Sequence, residues 1–485
     1  MSSSRRLLKN SGVYAIVQIL QKCIGLILIP IYTSLMIPAE KGISDTVVAL
    51  VSFLGVFFSL SLNAAVMRFY MDYKDDKEKL KEFWGTCITF VGLNCIIMST
   101  IFIIFRNILI EPFAKGVSFF PYIFLGMVSI TLNPIYIIFQ TTLQAKEESR
   151  KYATNNLAYF IVNLTLNLLF VVVFRIGSVG ILLALSVTDV IFFIYTLIKF
   201  IPTVTLTIRK SYIVQALKYS LPLLPHTLSG WAISMIDRLF LSNFNGLASP
   251  AIYSNGAQFG NIINVLTQAV NQAYVPWFFE RMKNKEENES DIVKMADILT
   301  IIYGVLAMGM SLFGPEIFKI IVNEEYYSGW TVIPFLSFAF VFNGIYYFFV
   351  NPLFFNKNGV KFIAIGTFTG AILNSILNVI LIPKFDIIGA GIASMVSSMI
   401  SCILVYYICK KIEPIKFNIV KLFSISFIFL SIGMSSFLLT GLSFYMSILV
   451  KSVIVIIVFL IIGIIYKNEV IILINKIKSS KRISK

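Results

Sequence analysis

Long apolar runs recur from one end of this chain to the other, and they constrain its fold more than any other feature. A run of about 18 or more apolar residues can cross the ~30 Å hydrocarbon core of a bilayer as an α-helix. Charged residues make up only 13% of the chain, whereas a soluble domain has about 25%. The sequence therefore predicts an all-α polytopic membrane protein. Its fourteen predicted spans are 11–34, 44–68, 83–105, 118–144, 152–174, 178–198, 217–241, 249–279, 295–314, 331–355, 362–382, 387–409, 419–439 and 446–466.

The distribution of lysine and arginine predicts which loops face the cytoplasm. With the N-terminus inside, 31 of the 40 Lys and Arg residues fall in inside segments and 6 fall in outside segments. Cytoplasmic loops carry an excess of these residues, and one missed helix would exchange the two sides for every later loop. The pattern predicts a multi-pass protein with both termini in the cytoplasm and a first helix that is retained rather than cleaved.

Several classes of chemistry are not expected from this sequence. The net charge of +16 is explained by the basic inside loops, so it does not indicate nucleic acid binding. The five cysteines form no CxxC pair and His226 is the single histidine, which argues against a zinc site or a disulfide framework. No GxxxxGK[ST], HExxH or GxSxG pattern occurs, and all loops are short. The sequence favours a transporter over an enzyme, with no cofactor other than a coupling ion, Na+ or H+.

Two parts of the chain resemble each other at a constant offset of 211 residues. Asn163 and Asn167 match Asn374 and Asn378, Gly180 matches Gly391, and Lys199 matches Lys410. The matched spans also share one orientation, so spans 1–6 and 7–12 are predicted to be two parallel six-helix repeats. Transporters with parallel repeats bind substrate at the repeat interface. The predicted units are an N-terminal lobe (1–210), a C-terminal lobe (211–416) and two extra helices with a basic tail (417–485).

Polar residues inside spans predict the lining of a cavity, because such residues face the bundle interior or water. Span 1 carries Gln18 and Lys22 on one face, and span 2 carries Asn63. Span 8 is the most polar, and its amides suit a ligand rich in hydroxyl groups. Those amides are Gln258, Asn261, Asn264, Gln268 and Asn271. The Asn163/Asn167 and Asn374/Asn378 pairs are instead predicted to serve helix packing.

Span 7 places an acidic and a basic residue side by side, Asp237 and Arg238. His226, Gly230, Ile233 and Asp237 recur at helical spacing, so Asp237 is expected to face the cavity. Arg238 is turned about 100° away, toward a neighbouring helix, the outer head groups or a ligand. Three residues are the candidates for ion coupling or for a gate: Asp189 in span 6, and His226 and Asp237 in span 7.

The segment "SMIDRLFLSNFNGLASPAIYSNGAQFGNIINVLTQAVNQAYVPWFFE" resembles the middle of bacterial polysaccharide repeat-unit flippases, the O-antigen and capsule flippase family. The resemblance rests on the Asp237–Arg238 pair, the Tyr253–Ser254 pair, and the stretch from Pro276 to Phe279. The segment "NSGVYAIVQILQKCIGLILIPIYTSLM" is similar too. This family belongs to the multidrug/oligosaccharidyl-lipid/polysaccharide exporter superfamily, which implies two six-helix lobes around a central cavity and two additional helices.

The resemblance also implies a substrate and a place. The substrate is an oligosaccharide repeat unit on undecaprenyl diphosphate, moved by alternating access across the bacterial cytoplasmic (inner) membrane to the outer leaflet for O-antigen or lipopolysaccharide assembly. Lys22, Arg68 and Arg238 are then the cations expected to meet the diphosphate, since Lys offers phosphate a point charge and Arg a bidentate fork. The bilayer, a polysaccharide polymerase and chain-length machinery are the implied partners, and the expected state is a monomer.

Three other functions stay open at this point. A lipid II flippase shares the architecture, but more cations are expected in its first and eighth helices. A drug/cation antiporter shares the two lobes, but it normally stops at twelve helices and has an acidic cavity. A membrane polysaccharide polymerase or acyltransferase is the alternative that is not a transporter.

Overall fold

The computed structural model describes residues 25–356 and 359–465. These residues form helices, and no β-strand occurs among them. The α-helices are α1 (Gly25–Leu35), α2 (Pro38–Ser59), α3 (Leu62–Tyr73), α4 (Lys77–Ile104), α5 (Arg106–Leu109), α6 (Phe124–Ala145), α7 (Ser149–Asn167), α8 (Gly177–Lys199), α9 (Lys210–Ser220), α10 (Leu224–Asn245), α11 (Ala248–Met282), α12 (Lys285–Ile321), α13 (Ile333–Phe355), α14 (Val360–Ile412), α15 (Ile419–Met434) and α16 (Phe444–Ile465). Short 3-10 or π segments lie at Glu111–Phe113, Phe119–Ile123, Leu168–Val173, Ile201–Thr203, Leu221–Leu223, Glu324–Val332 and Ser435–Phe437.

The predicted fold class, an all-α polytopic membrane protein, is confirmed. In the described ranges, ten helical segments are long and apolar enough to cross a membrane. One of them, Phe362–Ile412, holds two predicted spans. The helix α1 is described only from Gly25 onward, while α10 and α11 carry the polar residues of the site described below, which lowers their mean hydropathy. These observations account for the fourteen predicted spans.

The helix α14 is a helical hairpin rather than one long rod. Its backbone turns at Asp386, where φ is 48° and ψ is −130°. Behind the turn the two arms run antiparallel, because a Cβ built on Gly366 would meet Val405 and one on Gly370 would meet Ser401. The α7–α8 pair makes the same arrangement in the first half of the chain, where Asn163 on α7 bonds Thr188 on α8.

The predicted span 44–68 is broken into two helices. α2 ends at Ser59 and α3 begins at Leu62, and the two residues between them have positive φ angles, 49° at Leu60 and 53° at Ser61. Left-handed backbone is uncommon for residues other than glycine. Because neither Leu60 nor Ser61 is a residue type that favours it, the sequence does not predict a break here.

Two large apolar cores lie in the two halves of the chain. The first contains Leu50, Phe83 and Phe192, and the second contains Phe278 and Phe342. The additional helices α15 and α16 join the second core, to which they contribute side chains that include Phe429 and Val458. Leu239 of α10, which lies after the predicted lobe boundary at residue 210, also packs in the first core. The boundary therefore stays a prediction.

A buried ion pair fixes α16 to α12. The Lys451 Nζ lies 2.6 Å and 2.8 Å from the two carboxylate oxygens of Glu316, and the Ser447 hydroxyl donates to the same carboxylate at 2.5 Å. Lys451 is fully buried. Removing one partner of such a pair costs about 3–5 kcal/mol, so this contact holds the C-terminal helix in place.

Candidate functional site

A polar cavity of about 460 Å³ lies between α10, α11, α13 and α14. Polar residues line it from all four helices, at a depth where a bilayer would expose them to lipid if they faced outward. The polar lining residues are Ser234, Asp237, Arg238, Tyr253, Gln258, Asn261, Asn264, Gln268, Asn343, Asn374, Ser394, Ser397 and Ser398.

The carboxylate of Asp237 is buried at one wall of this cavity and accepts three hydrogen bonds. The Tyr253 hydroxyl donates to Oδ2, the Ser394 hydroxyl donates to Oδ2 at 3.1 Å, and the Asn378 amide donates to Oδ1 at 2.6 Å. All three donors are neutral, and among the described residues Asp237 makes no ion pair. The three donors and the neighbouring charge of Arg238 offset part of the cost of burying this carboxylate, and a proton or a cation would offset more of it.

The guanidinium of Arg238 lines the same cavity and is held by neutral groups. Its Nε donates to the Ser254 hydroxyl at 2.9 Å, its Nη1 donates to the Ser234 carbonyl at 2.7 Å, and its Cζ lies 5.9 Å from the centre of the Tyr253 ring. No carboxylate of the described chain lies within ion-pair distance of Arg238. Arginine has five N–H donors, so further donors remain for an anionic ligand.

The helix α11 contributes a row of linked amides to the cavity. The Asn264 amide donates to Asn261 at 2.8 Å, and the Gln268 amide donates to Asn264 at 3.0 Å. At the other end of the row, Gln258 lies against Gly25 of α1, where a Cβ would come within 2.8 Å of the Gln258 amide oxygen. The row offers both donors and acceptors to a hydroxyl-rich ligand.

The structure brings six of the predicted site residues together in this cavity. They are Asp237, Arg238, Gln258, Asn261, Asn264 and Gln268. Both Asp237 and Arg238 line the cavity, although neighbouring residues on a helix point about 100° apart. The cavity therefore extends around that part of the α10 surface. Gln18 and Lys22 lie outside the described residues, so their assignment stays a prediction.

Four of the other predicted residues lie away from this cavity. Arg68 is exposed on α3, where its Nη1 lies 3.0 Å from the Asp72 carboxylate. Asn63 is half-buried in the first turn of α3, beyond the break after Ser59. His226 is exposed in the first turn of α10, about 16 Å along the helix from Asp237. Asn271 accepts a hydrogen bond from the Asn351 amide at 2.9 Å, which joins α11 to α13.

Asp189 occupies a separate buried site in the first half of the chain. Its carboxylate accepts hydrogen bonds from the Ser129 hydroxyl, from the Asn133 amide at 2.7 Å and from the Tyr159 hydroxyl at 2.9 Å. Stacked aromatic rings cover it, with the Tyr136 and Tyr159 ring centres 5.6 Å apart. Asp189 does not reach the cavity that Asp237 lines.

Sequence reasoning missed four residues that complete the Asp237 site, namely Tyr253, Asn374, Asn378 and Ser394. The Asn374/Asn378 pair was predicted to serve packing, and Asn374 does bond Ser394 between the two arms of α14 at 3.2 Å. Asn378 goes further and donates to Asp237. Two amides at positions i and i+4 of a membrane span share one face. This shared polar face was the sequence feature from which their role at the site could have been predicted.

In the described residues, no group of three or more His, Cys, Asp or Glu side chains is arranged to hold a metal ion. The charged groups at the cavity are one carboxylate and one guanidinium. These two groups, together with the amides, can bind charged groups and hydroxyl groups of a ligand.

The fold that holds this cavity is shared with membrane transporters of known structure. The structure is similar to the lipid II flippase MurJ in an inward closed conformation, with a TM-score of 0.74 at 15% identity, covering 94% of this chain and 99% of MurJ. It is also similar to the Vibrio cholerae MATE transporter VcmN in the bent form, with a TM-score of 0.53 at 16% identity, covering 87% of this chain and 98% of VcmN.

Residues 7–282 match the polysaccharide biosynthesis protein family, and because they make up more than half of the chain, the chain belongs to that family. It is 26% identical over 412 residues to an uncharacterized membrane protein of Methanocaldococcus jannaschii, covering 77% of this chain and 78% of that protein. It is 23% identical over 189 residues to the capsular polysaccharide biosynthesis protein CapF of Staphylococcus aureus, covering 36% of this chain and 45% of CapF. The resemblance seen in the sequence is confirmed.

Proposed function

We propose that this protein is a flippase that moves undecaprenyl-diphosphate-linked oligosaccharide repeat units from the cytoplasmic to the outer leaflet by alternating access. The observation that carries the proposal is the cavity that Arg238, Asp237 and the amide row of α11 line together. Membership of the polysaccharide biosynthesis protein family supports it.

Arg238 is the group that meets the diphosphate in this proposal. Its guanidinium lines the cavity, is held by a hydroxyl and a carbonyl, and makes no ion pair in the described chain. Hydrogen bonds from arginine to phosphate are roughly twice as strong as those between neutral groups. Lys22, three residues before Gly25, is proposed as a second phosphate ligand on the basis of its sequence position alone.

The oligosaccharide lies along α11 in this proposal. The side chains of Gln258, Asn261, Asn264 and Gln268 offer amide donors and acceptors over about three helical turns. Each sugar hydroxyl also donates and accepts, so the two patterns are complementary. The cavity volume of about 460 Å³ falls within the roughly 300–1,000 Å³ of small-ligand sites.

Asp237 is proposed to couple transport to an ion gradient. Its carboxylate has three neutral donors and no ion-pair partner among the described residues. A proton or a sodium ion at this carboxylate would offset the cost of its buried charge. Loss of that cation would change the electrostatics next to Arg238, where the diphosphate is proposed to bind.

A lipid II flippase is the second candidate, favoured by the TM-score of 0.74 to MurJ. It would use the same cation for its lipid diphosphate and differ in the sugar. The twelve-helix drug/cation antiporter is disfavoured by α15 and α16, which pack in the second core. A polymerase or acyltransferase is disfavoured because the family and fold are those of transporters and flippases.

The test is complementation of two bacterial strains by the full chain. One strain lacks its own repeat-unit flippase, and the other is depleted of its lipid II flippase. We expect surface polysaccharide to return in the first strain and growth to stay arrested in the second. In the first strain, Lys22→Ala and Asp237→Ala should abolish polysaccharide, while His226→Gln, an exposed change on the same helix as Asp237, should not. Rescue of the second strain alone would contradict the proposal and support lipid II transport.

A further inference from the structure

A second cleft, of about 480 Å³, lies among α6, α7 and α8 at their basic ends. We call it the α6–α8 cleft and define it by Lys146, Arg150, Lys151 and Lys199 on its rim and Phe139 and Phe200 on its floor. It contains none of the residues that line the Asp237 cavity. The charge distribution of the sequence predicts that it opens on the cytoplasmic side.

The rim of the cleft carries positive charge that the protein itself does not neutralise. Lys151 pairs with Glu148 at 2.7 Å. Lys146, Arg150 and Lys199 make no ion pair with any carboxylate of the described residues. Glu148 is the one carboxylate in the lining and is paired with Lys151, so the four basic groups exceed the acidic ones by three, and a bound anion would stabilise them.

Lys146 is the most constrained of these cations. It is half-buried, and its Nζ lies 4.8 Å from the centre of the Trp84 ring. Burial lowers the pKa of its ammonium group from the ordinary value; Glu148 opposes this shift and Lys151 adds to it. Cation–π contact orients the charge, and a bound anion would stabilise it further.

The lining suits a phosphate group attached to an apolar or amphipathic body. Thr154 lines the cleft with a hydroxyl group, and the N-terminal turn of the 19-residue helix α7 carries Arg150 and Lys151. Helix N-termini favour phosphate through their N–H groups and dipole. The aromatic floor adds an apolar surface.

The C-terminal half contains a matching cleft, which provides an internal control. Tyr195 and Lys199 line the α6–α8 cleft, and Tyr406 and Lys410, which stand 211 residues later, line a cleft of about 670 Å³ at the end of α14. In that second cleft two of the three lysines are paired with glutamates. Lys285 lies 2.8 Å from Glu413, and Lys416 lies 3.6 Å from Glu289. Among the described residues, Lys410 is the one lining cation of the second cleft without an ion pair, against three such cations in the α6–α8 cleft.

We propose that the α6–α8 cleft is a binding site for a phosphate-bearing anion, separate from the Asp237 cavity and independent of what that cavity transports. The phosphate comes either from the head group of an acidic phospholipid in the facing leaflet or from a soluble phosphate compound. The two sources present the same chemistry to Lys146, Arg150 and Lys199.

The test measures binding to the purified full chain by native mass spectrometry. The probes are phosphatidylglycerol, phosphatidylcholine and inorganic pyrophosphate. The variant Lys146→Ala/Lys199→Ala removes two charges from the α6–α8 cleft, and Lys410→Ala/Lys416→Ala removes two from the matching cleft. At about 1 kcal/mol per basic residue near a membrane surface, we expect the first variant to bind the anionic probe roughly tenfold or more weakly. The second variant should bind it as the unaltered chain does.

The outcomes distinguish a lipid source from a soluble source, and both of these from unspecific binding of anions to basic residues. Selective loss of phosphatidylglycerol, without pyrophosphate binding, supports a lipid source, and selective loss of pyrophosphate supports a soluble source. Equal weakening by both double variants, or binding that neither variant changes, would overturn the proposal.

Circular dichroism and thermal unfolding of each variant show whether the fold is retained. The single variant Lys146→Gln keeps a polar side chain over Trp84 and gives a milder second test.

Discussion

Asp189 and Asp237 have the same three types of hydrogen-bond donor and different surroundings. Each carboxylate is buried and accepts from one tyrosine, one asparagine and one serine. For Asp189 these are Tyr159, Asn133 and Ser129. For Asp237 they are Tyr253, Asn378 and Ser394. Neither carboxylate makes an ion pair within the part of the chain that the structure describes.

The difference lies in what stands next to each carboxylate. Tyr136, Tyr159 and Phe192 form an aromatic cluster over Asp189, with ring centres 5.1–5.6 Å apart. Asp237 instead borders a polar cavity and is followed in the chain by the unpaired Arg238. The comparison teaches that the same donor set can serve a closed structural site in one half of the chain and an accessible site in the other.

The two asparagine pairs extend the comparison. Asn167 accepts from the Tyr32 hydroxyl of α1 at 3.0 Å, and Asn378, 211 residues later, donates to Asp237 of α10 at 2.6 Å. Each pair therefore joins the fifth predicted span of its half to the first. The N-terminal contact joins two neutral groups, whereas the C-terminal contact includes a carboxylate.

The largest contrast is expected between Asp237→Asn and Asp189→Asn. Both changes keep the size of the side chain and remove its charge. If Asp237 couples transport, its variant should lose surface polysaccharide in the complementation assay, while Asp189→Asn should retain most of it. Immunoblots of the membrane fraction control for expression. Loss of polysaccharide in Asp189→Asn at normal protein level would break the comparison, because it would give both carboxylates a transport role.

A smaller effect is expected from Arg238, which has no counterpart beside Asp189. Arg238→Gln should reduce the transport rate by roughly tenfold or more, since hydrogen bonds to charged groups contribute about 1.5–3 kcal/mol. Arg238→Lys keeps the charge but loses the bidentate geometry and should retain part of the rate. Flipping rates in proteoliposomes measure both variants, and equal rates for Arg238→Gln and the unaltered chain would remove Arg238 from the substrate site.

The asparagine pairs should separate transport from stability. Asn378→Ala removes a donor from Asp237 and should lower the transport rate several-fold, while Asn167→Ala should leave transport unchanged. An interhelical hydrogen bond in a membrane contributes about 0.6 kcal/mol on average and up to about 1.7 kcal/mol, so both variants should show only small falls in Tm in detergent. A fall in transport for Asn167→Ala equal to that for Asn378→Ala would contradict the distinction.

The smallest effect is expected when the tyrosine hydroxyls are removed. Tyr253→Phe deletes one donor to Asp237 and keeps the ring that Arg238 contacts, so we expect about a threefold loss of rate, which corresponds to about 0.6 kcal/mol. Tyr159→Phe deletes the equivalent donor to Asp189 and should change Tm but not the rate. Rates and Tm values measured on the same preparations decide between these outcomes.

The sequence predicts the fold and much of the cavity because both depend on local patterns. Apolar run length defines the spans, and helical spacing puts Gly230, Ile233 and Asp237 on one face; all three line the cavity. The amide face of α11 follows from the same spacing. These features lie on single helices, so no knowledge of helix packing is required.

Features that depend on contacts between helices were not predictable in the same way. Asn378 and Ser394 reach Asp237 only because α14 folds back on itself at Asp386 and packs beside α10. The left-handed pair Leu60–Ser61 breaks α2 from α3 without glycine or proline, so Arg68 was predicted from an unbroken helix. His226 continues the α10 stripe in sequence but lies beyond the cavity in space.

The most direct test of the central claim is flipping of a fluorescent undecaprenyl-diphosphate-linked oligosaccharide by the purified chain in proteoliposomes. Three proteins are compared: the unaltered chain, Asp237→Asn and Asp189→Asn, each with and without a sodium or proton gradient. The account predicts that the unaltered chain and Asp189→Asn flip the lipid and respond to one of the gradients, while Asp237→Asn does neither. Gradient-dependent flipping by Asp237→Asn at the rate of the unaltered chain would contradict it.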